Sequence, residues 1–100
     1  MAETVFRDVE LDDGFKRGDQ TITKVTLRRP KAGELRGLSS VDVMRQDYAA
    51  VAKLLPRISN PIITELDVAE LTAPDFEMLA AECGCFFLNR RQRAEAGLTD

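Results

Sequence analysis

The chain has 100 residues, a length typical of one domain with a single modest hydrophobic core. Its net charge of −3 disfavours a general nucleic-acid-binding protein, because such proteins usually carry excess positive charge. It contains no histidine, which removes the usual general base near neutral pH, every Ser-His or Cys-His pair and the commonest metal ligand. We therefore expect a protein that binds another protein, with no catalysed reaction, no cofactor and no metal.

The sequence also indicates a compartment. No stretch is long and apolar enough for a membrane-spanning helix, and the acidic N-terminal region lacks the basic flank and apolar run of a signal peptide. Cys83 and Cys85 are one residue apart and cannot cross-link distant parts of a fold, so we interpret them as buried thiols on a helix. We expect an intracellular protein.

The first third of the chain has the period of two that is typical of half-buried strands. Val5, Val9 and Leu11 lie on one side of the first run, and a second run ends near Leu27. Residues 12–19 between the runs are rich in aspartate and glycine, which favour turns. This pattern predicts a β-hairpin with a long loop.

A loop over residues 30–38 follows the second strand. We expect it to be ordered, because Leu35 and Leu38 can anchor it to the first helix. Four basic residues lie in or beside it: Arg28, Arg29, Lys31 and Arg36. We interpret them as solvated side chains, and the alternative is a nucleic-acid-binding surface.

The first predicted helix begins after a capping serine, Ser39 or Ser40, and ends at Pro56. A short helix begins after Thr64, with Asp67 completing a capping box, and a third begins in the same way after Thr72. The predicted buried face of the first helix consists of Val41, Met44, Tyr48, Val51 and Leu55. That of the third consists of Phe76, Leu79, Ala80, Cys83, Phe86 and Phe87.

Both longer helices carry a second apolar stripe, more than about 100° around the helix from the first. These five residues are Val43, Ala50 and Leu54 on the first helix, and Met78 and Cys85 on the third. We interpret them as a partner-binding surface, because exposed apolar patches usually mark interaction sites. On this interpretation, Val43 and Leu54 could be changed to serine without loss of the fold. The alternative is that both helices are buried on two sides.

The predicted fold class is therefore α+β: an N-terminal β-hairpin packed against two longer α-helices and one short helix. The domain is expected to span residues 1–88. Residues 89–100 are rich in arginine and polar side chains, and we expect a charged, flexible C-terminal tail.

Several segments, taken in order, resemble one family, the tail assembly chaperones of contractile-tailed, Mu-like phages. They are residues 22–30 (ITKVTLRRP), 33–38 (GELRGL), 54–59 (LLPRIS), 71–76 (LTAPDF) and 86–88 (FFL). The resemblance implies a protein of the host cytoplasm that binds the tape measure protein and keeps it soluble until tail tube subunits assemble around it. It implies no catalytic residues.

The resemblance has one further implication. Genes of this kind often shift reading frame near their end, and Phe86, Phe87 and Leu88 can be encoded by a run of thymines. A longer, frameshifted form of the chain would then exist beside the short one. Two other functions remain as alternatives: a small nucleic-acid-binding regulator that uses the basic loop, and a minor structural protein retained in the tail.

Overall fold

The structure is a computed structural model that describes residues 6–95 and 97. Within these residues it contains a three-stranded antiparallel sheet and five α-helices, two of them long, which confirms the predicted α+β class. The predicted strand position Val5 and the end of the predicted tail, residues 98–100, lie outside the described residues.

The hairpin consists of β1 (Phe6–Arg17) and β2 (Gln20–Arg28), joined by a tight turn at Gly18 and Asp19. The long loop predicted over residues 12–19 is wrong, because β1 continues through it. The pairing register shifts between Glu10 and Phe15, where β1 advances five positions while β2 advances two. The extra residues form a bulge over positions 11–14, called the β1 bulge below.

A third strand, β3 (Ser59–Asn60), pairs antiparallel with Thr26 and Leu27, so the strand order is β1-β2-β3. The sequence predicted only a turn here, because two residues are too few to show an alternating pattern. The turn itself is present, and the bond between Asn60 and Pro61 is cis.

The first predicted helix is divided into α1 (Ser40–Met44) and α2 (Tyr48–Ile58). Gln46 between them has a φ of 62°, which interrupts the helical backbone. Asp47 then caps α2, since its carboxylate accepts a hydrogen bond from the Ala50 N–H at 3.2 Å. Pro56 does not end the helix, which continues for two more residues.

Two further helices begin where the sequence predicted. Thr64 and Asp67 form a reciprocal capping box, with bonds of 3.0 and 3.1 Å, before α3 (Glu65–Glu70). Thr72 caps α4 (Ala73–Cys85). A short helix, α5 (Arg90–Glu95), lies within the predicted tail, and the flexibility of that tail stays a prediction.

The core lies between one face of the sheet and the helices. Val9 of β1 lies opposite Val25 of β2 on this face, and both are buried. The largest fully buried apolar side chains are Leu27, Leu54, Leu55, Ile63 and Leu79. Each contributes roughly 1.5–3 kcal/mol by leaving water, so this cluster is the main source of stability. The other face of the sheet is mostly polar, apart from the exposed Phe6, and on it Thr26 donates to Asp8 at 2.7 Å.

Candidate functional site

The structure places three of the five predicted site residues in the core. Val43 and Leu54 are fully buried and Ala50 is 7% exposed, so their predicted position off the core is wrong. For α2 the alternative of burial on two sides is correct. Met78 and Cys85 on α4 are only partly buried, and a contribution from them to partner binding stays a prediction.

Three residues predicted to be core are exposed instead. Val41, Met44 and Tyr48 keep 50%, 48% and 50% of their surface exposed. The interruption at Gln46 explains the errors at Val41, Val43 and Met44, which precede it, whereas Ala50 and Leu54 are buried because α2 is covered on two sides. The prediction assumed one continuous helix, so the helical phase before the interruption was assigned incorrectly. The sequence therefore showed two apolar stripes, but before Gln46 the stripe predicted to be buried is exposed and the stripe predicted to be exposed is buried.

Two of these residues, Met44 and Tyr48, lie beside α4. The rings of Tyr48 and Phe76 pack with centroids 5.3 Å apart and planes tilted by 32°. Nearer the other end of α4, a Cβ added at Gly84 would lie 3.7 Å from the carbonyl oxygen of Met44. We call Val41, Met44, Tyr48 and Phe76 the apolar patch. Aromatic and methionine side chains are enriched in protein interfaces, so the patch is suited to bind an apolar segment of a partner.

A buried carboxylate lies next to the patch. The side chain of Asp75, in the first turn of α4, is fully buried and accepts three backbone hydrogen bonds from the β1 bulge. The Asp12 N–H donates to Oδ1 at 2.7 Å, and the Asp13 and Gly14 N–H groups donate to Oδ2 at 3.0 and 2.9 Å. Burial alone raises the pKa of Asp75, but these hydrogen bonds outweigh it and lower the pKa below its ordinary value.

An ion pair and several arginine hydrogen bonds order the predicted basic loop. Residues Ala32–Leu35 form a 3-10 helix, and Glu34 forms an ion pair with Arg28. The Arg57 guanidinium donates to the carbonyl oxygens of Glu34 and Arg36 at 2.7 and 2.9 Å. The hydrogen bond from Arg28, together with that from the Lys31 N–H, lowers the pKa of Glu34 to about 2.

Leu35 and Leu38 pack against the core, which confirms the predicted anchoring of this loop. The Arg28 guanidinium donates two hydrogen bonds to the Glu34 carboxylate and a third to the carbonyl oxygen of Arg57 at 2.8 Å. Arg28 and Arg57 therefore hold the loop together. Their charge is less available to an outside ligand than the sequence indicated.

The cysteines are free, and Cys83 is buried as predicted. Burial raises the pKa of the Cys83 thiol to about 12, so the thiolate is scarce at neutral pH. In the part of the chain that the structure describes, no three acidic or cysteine side chains are placed to hold a metal ion. No helix among the same residues is long and apolar enough to cross a membrane.

A second exposed apolar area lies at α3. Leu66 is 81% exposed and Ile62 is 56% exposed. Arg17 joins this area to β1, since its guanidinium donates to the Ile62 carbonyl oxygen at 2.8 Å and to the Asp67 carboxylate at 2.5 Å. Leu66 is an exposed apolar side chain outside the apolar patch, so a substitution of Leu66 is a control for substitutions in the patch.

The fold is a small α+β domain that exposes an apolar patch. Residues 8–88 match the model of the family described as phage tail assembly chaperone proteins, E, or 41 or 14. The chain therefore belongs to the phage tail assembly chaperone family, which confirms the family predicted from the sequence segments. The family role is assembly and not a catalysed reaction.

Two relatives come from Escherichia phage P2. The chain is 45% identical to tail assembly protein E over 74 residues, which are 74% of this chain and 81% of that protein. It is also 45% identical to tail assembly protein E′ over 74 residues, which are 74% of this chain and 52% of that protein. The chain thus spans about half the length of the second relative. No solved structure matches the chain significantly.

Proposed function

We propose that this chain binds the tape measure protein of a phage tail in the host cytoplasm and keeps it soluble until tail tube subunits assemble around it. The observation that carries the proposal is membership of the tail assembly chaperone family over residues 8–88. The action is binding alone. A largely apolar, helical partner would need shielding from water, and shielding it requires an apolar surface on the chaperone.

The apolar patch is the proposed contact surface. It places Val41, Met44 and Tyr48 about half exposed on adjacent helical segments, with Phe76 behind the tyrosine ring. An apolar helix of the tape measure protein could cover these side chains with one face, which is a common mode of helix recognition. The occupant proposed is therefore a segment of the tape measure protein.

We further propose that a longer form of the chain exists and shares this domain. Two relatives from one phage, named E and E′, match over 74 residues that make up 81% of one and 52% of the other, so the second is longer. The match to the family model also ends at Leu88, where the sequence allows a slippery thymine run. A rare long form could recruit a second partner while common domains coat the tape measure protein.

Co-expression tests the proposal. The tape measure protein should be insoluble when expressed alone and move to the soluble fraction, bound to this chain, when both are expressed. An unchanged soluble fraction with no co-purification would contradict the proposal. Mass spectrometry of purified virions addresses the alternative of a structural tail protein, because a chaperone should be absent from finished particles.

A further inference from the structure

Asp75 connects two parts of the fold that are distant in sequence. Its carboxylate binds backbone N–H groups of Asp12, Asp13 and Gly14, which lie 61–63 residues earlier in the chain. The carboxylate is fully buried, so water does not compete for these bonds. The β1 bulge and the first turn of α4 are therefore held together at one point.

The residue after Asp75 is Phe76, whose ring packs against Tyr48. Phe76 lies in the same first turn of α4, and its N–H bonds to the Thr72 carbonyl oxygen at 2.9 Å. A helix end that lacks tertiary contacts frays readily, and a side chain on that turn moves with it. The position of the Phe76 ring therefore depends on what holds this turn in place.

We infer that Asp75 is a positioning residue for the apolar patch, which holds the first turn of α4 on the β1 bulge and thereby fixes Phe76 against Tyr48. An asparagine at position 75 is nearly isosteric but replaces one acceptor oxygen with an NH₂ group. In either orientation the NH₂ group must face at least one of the three backbone N–H groups. Two donors then face each other, and at least one hydrogen bond is lost. Asp75→Asn should therefore release the turn without creating a cavity.

Asp67→Asn is the matched control. Asp67 has the same place in the first turn of α3, where it completes the capping box with Thr64. The substitution removes the same charge at the same helix position, together with the Thr64 capping bond and the Arg17 ion pair, but away from the apolar patch. The two variants therefore separate a general loss of stability from an effect on the patch.

The first readout does not involve a partner. We expect an NMR nuclear Overhauser effect between the rings of Tyr48 and Phe76 in the wild type and in Asp67→Asn, and its loss in a folded Asp75→Asn. Tyr48 is the single tyrosine and the chain has no tryptophan, so tyrosine emission reports on the same site. Retention of the ring contact in Asp75→Asn, or equal loss in both variants, would overturn the inference.

The wild type gives a second test, which decides the matter if Asp75→Asn does not fold. In native-state hydrogen exchange, the amides of Asp12, Asp13 and Gly14 should open with the same free energy as the amide of Phe76, as one cooperative unit. Clearly different opening free energies for the bulge and the turn would show that Asp75 does not couple them, and the inference would be wrong.

A third readout rests on the proposed function. If about one tenth of the Asp75→Asn molecules keep the patch in its bound form, the Kd for the tape measure protein should rise about tenfold. Asp67→Asn should bind as the wild type does. If the ring contact is lost but affinity is unchanged, the proposed surface is wrong while the positioning role of Asp75 stands.

Discussion

At the scale of single residues, Gly14 is the point where the β1 bulge lies against the backbone of β2. Its φ is +74°, and a Cβ there would lie 2.1 Å from the Ile22 carbonyl oxygen. That distance is far inside van der Waals contact, and the oxygen belongs to the backbone, so it cannot turn away. The bulge that Asp75 binds therefore requires glycine at this position.

Gly14→Ala is expected to lower the free energy of unfolding by about 3 kcal/mol or more, because the clash adds to the cost of a left-handed alanine. Gly18→Ala is the control: its φ is +62°, but no atom lies within 4 Å of the added Cβ. It should cost about 1 kcal/mol. Urea unfolding followed by circular dichroism measures both values. Equal losses would show that the close approach at Gly14 has no energetic consequence.

Glu34 predicts a pH dependence. Its pKa is lowered to about 2 in the folded chain by the Arg28 and Lys31 hydrogen bonds, whereas the pKa of a glutamate in an unfolded chain is about 4.3. A lowered folded-state pKa means that this stabilisation is complete above the unfolded pKa and is lost as the pH falls toward 2. Because solvent screens the partly exposed pair, about 1–2 kcal/mol is expected at neutral pH.

The test compares the wild type with Glu34→Gln in urea unfolding across pH. The stability difference should be present at neutral pH and should shrink steadily as the pH falls from about 4.5 to about 2. Glu65→Gln, on the exposed surface of α3, is the control for the loss of one negative charge. A Glu34→Gln difference that is constant over this range would contradict the role assigned to the ion pair.

At the scale of elements, the division between α1 and α2 reverses an expectation from the sequence. Val43 and Leu54 were expected to tolerate serine, but the structure buries both completely. Each serine would lose apolar burial and add a hydroxyl group to the core. We now expect Val43→Ser and Leu54→Ser to lower the free energy of unfolding by about 2–4 kcal/mol each.

Val41→Ser and Met44→Ser are the controls, because both residues lie on α1 beside Val43 and are about half exposed. Each should change stability by less than about 1 kcal/mol. Urea unfolding of the four variants decides the assignment. Losses of several kcal/mol at Val41 and Met44, with small losses at Val43 and Leu54, would return the helix to the orientation predicted from its sequence.

These elements show what sequence patterns can and cannot give. The capping box at Thr64 and the N-cap at Thr72 were predicted because a cap depends on residues three positions apart. The interruption at Gln46 was missed because glutamine rarely adopts a positive φ and nothing local indicates it. The β1 bulge was missed because its hydrogen-bond partner, Asp75, lies more than 60 residues away. Local chemistry was predictable, and long-range chemistry was not.

The same division applies to the candidate site. The sequence showed an excess of apolar side chains on the segments that form α1, α2 and α4. Which side of α1 is exposed depends on the path of the chain at residues 45–47, so Val41 and Met44 were assigned to the core. Their exposure could not be inferred from periodicity, because the period continues across the interruption as if the helix were unbroken.

At the scale of the whole molecule, the gene should encode two products. If codons for Phe86, Phe87 and Leu88 form a thymine run that overlaps a second reading frame, expression with the downstream sequence should yield an abundant short form and a rare longer one. Both should share peptides up to residue 88. Mass spectrometry detects both, and a single product ending at Asp100 would contradict the prediction, as would the absence of the thymine run.

The central claim is that the apolar patch binds the tape measure protein, and a binding titration tests it most directly. Purified tape measure segments are titrated into the wild type, into a Val41→Ser and Met44→Ser double variant, and into Leu66→Ser, which removes an exposed leucine outside the patch. Tyr48 emission gives the Kd. We predict that the double variant binds roughly tenfold or more weakly and that Leu66→Ser binds as the wild type does. Equal affinity of all three proteins, or a loss at Leu66 as large as that at the patch, would contradict the account.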